Sequence, residues 1–321
     1  MKQYILRRLF IAIPMLLGTS IFIFAVMRIL PGDMAVAMLS LSSAERGSGV
    51  SMEKVEALRE QMGLNRPIYV QYLDWMWGVV RFDFGVSPVS RLPVAEEVLR
   101  ALPVTLELGG MAFVLSIVIA LPVGVIAAIR QDTWQDYAGR LFSIGGLSIP
   151  DFWLGTLFIL FPLLIWNWMP PLGFSPIDRD LGMNLQQFIF PALAIGIHQS
   201  AAYMRLLRAT MLEVMRQDYV RTARAKGLRE YTVIVRHALR NALIPVITFM
   251  GGRIGRLIGG TVVLETIFSL PGVGRLVVTS IEWRDYPTVQ SLIMLFTTVF
   301  ILANLVVDIS YAWLDPRIRY S

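Results

Sequence analysis

The sequence predicts an all-α integral membrane protein of six transmembrane helices, with both chain ends on the cytoplasmic side. Three observations carry that expectation. The chain is 55% hydrophobic and 16% charged, with a mean hydropathy of +0.61, which lies outside the range of an ordinary soluble domain. Six segments are apolar over about 20 residues or more, the length a helix needs to cross a bilayer. Lys and Arg gather in alternate connecting segments.

The first apolar segment covers residues 9–30. It follows MKQYILRR, a start that could pass for a secretory leader, but its apolar run is longer than a leader's and no small-residue cleavage site follows. It therefore reads as a retained span. Residues 31–101 are the one sizeable piece outside the membrane. Within them, 51–62 reads as a short amphipathic helix with Ser51 as cap and Gly63 as stop. Tyr69, Tyr72, Trp75, Trp77, Phe82 and Phe84 follow and suit an interfacial or packed subdomain on the outer face. A folded spacer and a receptor-docking element both fit it. The second span covers 106–129 and carries no charge after Glu107. The third covers 137–166 and is interrupted at Ile149-Pro150-Asp151. The fourth, fifth and sixth cover 188–212, 241–268 and 288–313.

An even number of spans puts both ends on one side. With the N-terminus inside, the inner segments hold Lys2, Arg7, Arg8, Arg130, Arg140, the basic residues from Arg205 to Arg240, Arg317 and Arg319. The two short outer loops hold only Arg179, Arg275 and Arg284. That asymmetry sets the orientation. The expected organisation is a cytoplasmic N-terminus and first helix at 1–30 and an extracytoplasmic loop subdomain at 31–101. A five-helix core follows at 102–315, with a cytoplasmic loop at 213–241, and then a cytoplasmic tail at 316–321. No domain-level repeat or low-complexity tract interrupts it.

Composition also excludes chemistry. The net charge of +6 is accounted for by basic inner loops and calls for no nucleic acid. The chain has no Cys, so disulfides, thiolate metal sites and a Cys nucleophile are out. Its two His, His198 and His237, make a His-based metal cage an unfavoured reading. The glycine-rich PGVG at 271–274 lacks a following Lys-Ser/Thr and reads as a turn; the chain has no G-x-x-x-x-G-K-[ST] phosphate loop.

The most informative stretch is DYVRTARAKGLREYTVIVRHALRNALIP at 218–245, a basic amphipathic run between two apolar spans. Arg216 precedes it, and Arg221, Arg224, Lys226, Arg229, Arg236 and Arg240 lie within it. Tyr219, Thr222, Ala223 and Lys226 recur at three and four, so they share one helical face. Ala223 and Gly227 permit close backbone approach, Gly227 can end the helix as its C′ residue, and Pro245 would mark entry into the fifth span. A short helix lying along the membrane surface suits a groove in a soluble partner. By composition alone, an anchor on anionic lipid fits as well.

The word order of this segment resembles the cytoplasmic loop of permease subunits of bacterial ABC importers, in particular the oligopeptide/dipeptide/nickel branch and its first-permease subunit. The general loop of those permeases runs Glu-Ala-Ala, then Gly, then Ile-x-Leu-Pro. Here Thr222 and Ala223 fall at the two Ala positions and Gly227 at the Gly. Arg221 replaces the Glu, and His237-Ala238-Leu239-Arg240 stands where Ile-x-Leu-Pro would be. DYVRTARAKG with RHALRNALIP is similar to the peptide branch's own version. So are RILPGD at 28–33, GLNRPIYVQY at 63–72, TLELGGMAF at 105–113, IPDFWLG at 149–155, ETIFSLPGVGR at 265–275, RDYP at 284–287 and DPRIR at 315–319.

The resemblance implies a type I ABC importer permease fold and no catalysis or cofactor on this chain, with ATP and Mg held by partner ATPases. It implies as partners a second homologous permease, two ATPase subunits, an extracytoplasmic solute-binding protein and the lipid bilayer. Asp218, Tyr219, Arg221, Thr222, Ala223, Arg224, Lys226 and Gly227 become the candidate ATPase-coupling residues. The branch handles di- and oligopeptides, glutathione, nickel complexes, opines and oligosaccharides.

Residues inside the predicted spans supply a candidate substrate path. Arg253 and Arg256 sit in the fifth span, where a charge is costly and faces protein or water. Gly251, Gly255 and Gly259 form a ridge suited to close helix packing, and the two Arg project roughly 130° from it at 100° per residue. They could meet an anionic group of a solute, or pair with Glu265, Asp151 or Asp308. His198-Gln199-Ser200 could line the same path or bond between helices. Glu107, Asp151, Glu265 and Asp308 read as structural partners, Asp151 being of most interest because it follows the Pro150 kink. A secondary transporter would use those acids as a proton relay. A membrane enzyme would need an acid/base constellation that the chain lacks.

Overall fold

The computed structural model describes residues 2–29, 36, 39, 52–61 and 63–314, with side chains further left aside at 2–9, 58, 61, 254–258, 304 and 306–314. Ser51, most of RILPGD, the DPRIR motif and the tail at 316–321 lie outside the described residues. What is described is helical, apart from one isolated antiparallel bridge between Val86 and Pro93. Chain contacts divide the protein into two units, residues 1–104 with 272–321, and residues 105–271.

The first unit holds α1 (Lys2–Ile29), α2 (Met52–Gln61), α3 (Ile68–Val80), the start of α4 (Val94–Ile129), α11 (Val273–Glu282) and α12 (Tyr286–Leu314). α1 and α12 pack through Ile23 and Met27 against Tyr286 and Val289. α3 docks on α1 because its aromatic face finds a ring there. Phe24 lies 5.4 Å from Tyr72 and 5.8 Å from Trp75, and the Ser20 and Tyr72 hydroxyls are 2.8 Å apart. Of the outer-loop aromatics, Tyr72 and Trp75 therefore pack, while Tyr69, Trp77 and Phe82 stay exposed. α2 stops as expected. Gly63 adopts φ +66°, its amide donates to the Glu60 carbonyl and that of Leu64 to the Arg59 carbonyl, which closes a Schellman motif.

Asp285 caps α12 by accepting from the Thr288 amide at 3.1 Å. The same carboxylate accepts from the Ser87 hydroxyl at 2.5 Å, and Ser87 Oγ in turn accepts from the Val89 and Ser90 amides. Asp285→Ala removes a cap and a tether together, about 1–2 kcal/mol for the cap alone. Amide exchange of residues 87–92 is expected to quicken about tenfold. Unchanged exchange there would mean that the loop holds itself.

The second unit holds the rest of α4, then α5 (Trp134–Ser148), α6 (Asp151–Trp166), α7 (Leu181–Met215) and α8 (Asp218–Ala225). A turn at Glu230–Thr232, a π-helical stretch Val233–Leu239, α9 (Arg240–Gly260) and α10 (Val262–Ile267) complete it. Its core joins Ala120, Ala127 and Ala128 of α4 to Tyr203, Met204, Leu207 and Met211 of α7 and to Ala238, Ala242, Val246 and Met250. Small residues set how closely the helices approach. A Cβ on Gly139 would lie 2.6 Å from Met204 Cε, and one on Gly146 2.8 Å from Ala201 Cβ.

Four described helical stretches are long and apolar enough to span by themselves: Phe10–Ile29, Val94–Ile129, Glu230–Arg253 and Tyr286–Ala303. The expected third span is instead two helices, α5 and α6, meeting at 99° across Ile149-Pro150. Pro150 has no amide to continue the helix, and the residue before it is pushed to extended backbone. With this pair counted as one span the tally is five. α7 is 35 residues long but carries Asn184, Gln187, His198, Gln199, Arg205, Arg208 and Glu213, too polar for the same test. The expected fifth span also shifts. The helical run begins at Glu230, Pro245 lies inside α9 rather than at its entry, and a break at Thr261 separates α10. The expected close packing at Gly259 is absent among the described residues, with nothing within 4 Å of a Cβ placed there.

Candidate functional site

α8 is an eight-residue helix that follows α7, and its seating follows from two residues. Val220 and Ala223 are its buried positions, and they pack against Val233 with Val214 alongside. The rest is polar and exposed: Asp218, Tyr219, Arg221, Thr222, Arg224, Lys226 and Gly227. The face read from the sequence is thus split. Tyr219, Thr222 and Lys226 look outward, whereas Ala223 turns into its own chain, because an i, i+3 apolar pair must be buried first.

Gly227 ends the helix as C′ at φ +77°. Its amide donates to the Arg224 carbonyl at 2.9 Å and that of Leu228 to the Ala223 carbonyl at 3.4 Å. Nothing lies within 4 Å of a Cβ added there, so the backbone conformation alone calls for glycine. Two further contacts fix α8 to the helical run that follows. Arg224 Nη2 donates to Glu230 at 2.7 Å, and Asn241 Nδ2 donates to the Tyr219 hydroxyl at 3.0 Å. Asp218 and Arg221 approach at 3.8 Å in the open, a pair worth little.

Among the described residues, those expected along a substrate path do not converge into one cluster. Arg253 lies over the Phe249 ring at 4.7 Å, and Phe249 meets Tyr203 edge-on at 6.0 Å. Among the described residues Arg253 forms no ion pair with Asp151 or Glu265. The side chains of Arg256 and Asp308 lie outside the description. Gln199 accepts from the Tyr203 hydroxyl at 3.2 Å, which links Gln199 to Arg253 through two rings, Tyr203 and Phe249. His198 is half-buried with Nδ1 unpartnered. Asp151 heads α6 at the bend and accepts from the Phe152 amide. Glu265 is fully buried, with Thr105 and Thr261 hydroxyls donating to one carboxylate oxygen at 2.7 and 2.8 Å, an arrangement that fits a structural acid.

A cavity of about 320 Å³ opens in the first unit among Phe24, Arg28, Arg66, Asp74, Trp75 and Tyr286. It gathers RILPGD, GLNRPIYVQY and RDYP residues but none of those expected to bind solute.

One cluster has no counterpart in the sequence reading. Asp136 is 0% exposed. Arg208 of α7 grips it bidentately, Nε to Oδ1 at 2.5 Å and Nη2 to Oδ2 at 2.8 Å. Arg140, one turn along α5, donates at 3.2 and 2.6 Å, and the Asp132 amide adds a further bond at 3.0 Å. Arg140 also reaches Asp132 at 3.0 Å. Asp136 reads in sequence as an ordinary first-turn acid, and its main partner is 72 residues away.

Residues 120–320 match the family of the binding-protein-dependent transport system inner membrane component, and residues 1–109 match the N-terminal part of such membrane components. The chain is 41% identical to a putative peptide transport system permease protein of Brucella abortus, with all of both chains covered. It is 39% identical to the dipeptide transport system permease protein of Escherichia coli K12 and 39% identical to a glutathione transport system permease protein of Escherichia coli O1:K1 / APEC, each again over all of both chains. In fold it resembles the crystal structure of an amino acid ABC transporter with histidines, at a TM-score of 0.52 and 12% identity, covering 67% of this chain and 92% of that one.

Proposed function

The chain belongs to the inner membrane components of binding-protein-dependent transport systems, and from that premise we propose that it forms half of an ATP-driven import pathway for small peptides. A second homologous permease supplies the other half, two ATPases dock on the inner face, and an extracytoplasmic binding protein delivers the solute. Six spans with both ends inside go with this reading, α7 being shielded by its neighbours rather than apolar by itself. The distribution of basic residues supports the orientation. The organisation into 1–30, 31–101, 102–315 and 316–321, with a coupling loop at 213–241, belongs to the same proposal.

The observation that carries the reading is α8. It is a short, capped helix held by its own chain on one side and by Arg224 and Tyr219 at its ends, with a polar surface left over. Such an element can sit in a partner's groove and pass motion on without bending. ATP-driven closure of the partners would move α8 with the end of α7 and switch the spans between two arrangements.

The relatives are named for peptides, dipeptides and glutathione. What these solutes share is a carboxylate beside amides. Arg253 is the described cation in the path that could meet such a group, with Gln199 linked to it through Tyr203 and Phe249. Arg253→Ala is expected to raise the KM for dipeptide uptake about tenfold, leaving assembly intact, since a charge-assisted bond is worth about 1.5–3 kcal/mol. An unchanged KM would remove Arg253 from the path. The reading as a whole is tested by purifying the tagged chain from its host in mild detergent. Recovery of a second permease and ATPases is expected. Recovery of the chain alone, active in liposomes on an ion gradient, would replace the ATP-driven reading with a secondary transporter.

A further inference from the structure

We propose that Asp136, clamped by Arg208 and Arg140, is a positioning residue for transport: a rigid joint that carries motion of α7 into α5. The proposal rests on the function proposed above.

α7 continues seven residues past Arg208 to Met215, and its Val214 packs on Val220 and Ala223 of α8. Arg208 therefore lies about 10 Å along the helix from the end of α7, with Arg216 and Gln217 joining that end to α8. Whatever displaces α8 displaces Arg208. The α5–α7 contact leaves no room to absorb that displacement. The Arg208–Asp136 pair is bidentate, which fixes direction as well as distance. Arg140 and the Asp132 amide fill the remaining acceptor sites of the carboxylate, so Asp136 cannot swing toward a substitute partner. Further along the same two helices, the contact has no slack: Gly139 faces Met204, Gly146 faces Ala201, and Ser143 donates to the Ala201 carbonyl at 3.0 Å. α5 and α7 move as one body.

The consequence appears at the far end of α5, which turns through 99° into α6. A small rotation of α5 re-aims all of α6, whose first residue is Asp151. The ion cluster thus ties α7, which leads to α8, to the start of α5, the first half of the bent pair. Stability alone does not explain it, because a buried ion pair is commonly replaced by apolar residues at no loss of stability. What an apolar replacement loses is directionality.

The test uses the whole complex, with its partner permease and ATPases, in proteoliposomes, and measures ATP hydrolysis and dipeptide uptake together. The double variant Asp136→Asn with Arg208→Met removes the joint without stranding a buried charge, and Arg140 keeps Asp132. Hydrolysis is expected to stay within about threefold of the wild type, and uptake to fall about tenfold or more, so that more ATP is spent per solute. Wild-type stoichiometry in this variant, or a parallel fall of both activities, would overturn the joint. A second measurement needs no variant at the cluster. The chain has no Cys, so Trp134→Cys and Arg205→Cys, both exposed positions, take spin labels selectively. Their separation is expected to be the same in nucleotide-free and ATP-bound complex. A change of more than about 2 Å, the scale of helix sliding, would show that α5 and α7 shear and would overturn the joint even if the double variant fails to assemble. A wild-type complex without ATP-driven uptake would defeat the transport reading itself, and is told apart from both results.

Discussion

Ala223→Glu is expected to cut ATP-driven uptake about a hundredfold while the chain remains in the membrane with its partner permease. Ala223 is buried beside Val220, Val233 and Val214, and a carboxylate placed there has no donor to meet it. The cost of burying it unpaired is well above the roughly 2.7 kcal/mol that a hundredfold loss represents, and exceeds what an eight-residue helix can resist. Helices this short have no stability of their own, so α8 would leave its seat rather than keep the charge inside. The Arg224–Glu230 and Tyr219–Asn241 contacts tie only its ends and would not hold it. Gly227→Val attacks the same element from the backbone. A β-branched residue at φ +77° costs about 1–2 kcal/mol and is expected to lower uptake about tenfold. Paired measurements of uptake and hydrolysis in proteoliposomes decide both. Ala223→Glu with normal uptake would show that α8 is not the element the ATPases grip.

Which parts of this were readable from the chain depends on the range of the interactions. Gly63 and Gly227 were legible as helix stops because a left-handed residue after an amphipathic run is a local requirement, met by glycine within the same few residues. The Pro150 break was legible for the same reason, although its angle was not; α6 beyond it packs through Gly155 on Leu264 and Phe268, more than a hundred residues later. Ala223 is a case of the opposite kind. Periodicity groups residues on a face but does not say whether that face belongs to a partner or to the chain itself, and Val220 beside it was the signal that decides. Pro245 misled because a membrane helix can hold proline in its interior where a local π-helical adjustment, here at Val233–Leu239, accompanies it. Asp136 was invisible. It sits in the first turn of α5, where an acid is expected for reasons of the helix dipole, and nothing in its neighbourhood points to Arg208.

Gly146→Leu is where the largest loss of stability is expected. The added Cβ would stand 2.8 Å from Ala201 Cβ and 3.5 Å from the Ile197 carbonyl oxygen, and the opposing surface is the backbone of α7, which cannot rotate away as a long side chain would. One turn earlier, Ser143 donates to the Ala201 carbonyl, so separating the helices to admit leucine also breaks that bond. Overpacking of this kind costs about 1–3 kcal/mol before the lost hydrogen bond is counted. The neighbouring glycine supplies the control. Gly145 has nothing within 4 Å of its Cβ position, and Gly145→Leu is expected to be neutral or to stabilise α5 by up to about 1 kcal/mol through helix propensity. Thermal unfolding in detergent should therefore separate two substitutions of identical chemistry at adjacent positions, with Gly146→Leu melting lower by several degrees. Equal melting would mean that α5 and α7 are not in contact at Ala201. That result would remove the close packing on which the rigid pairing of these two helices depends, whatever the ion cluster at their end contributes.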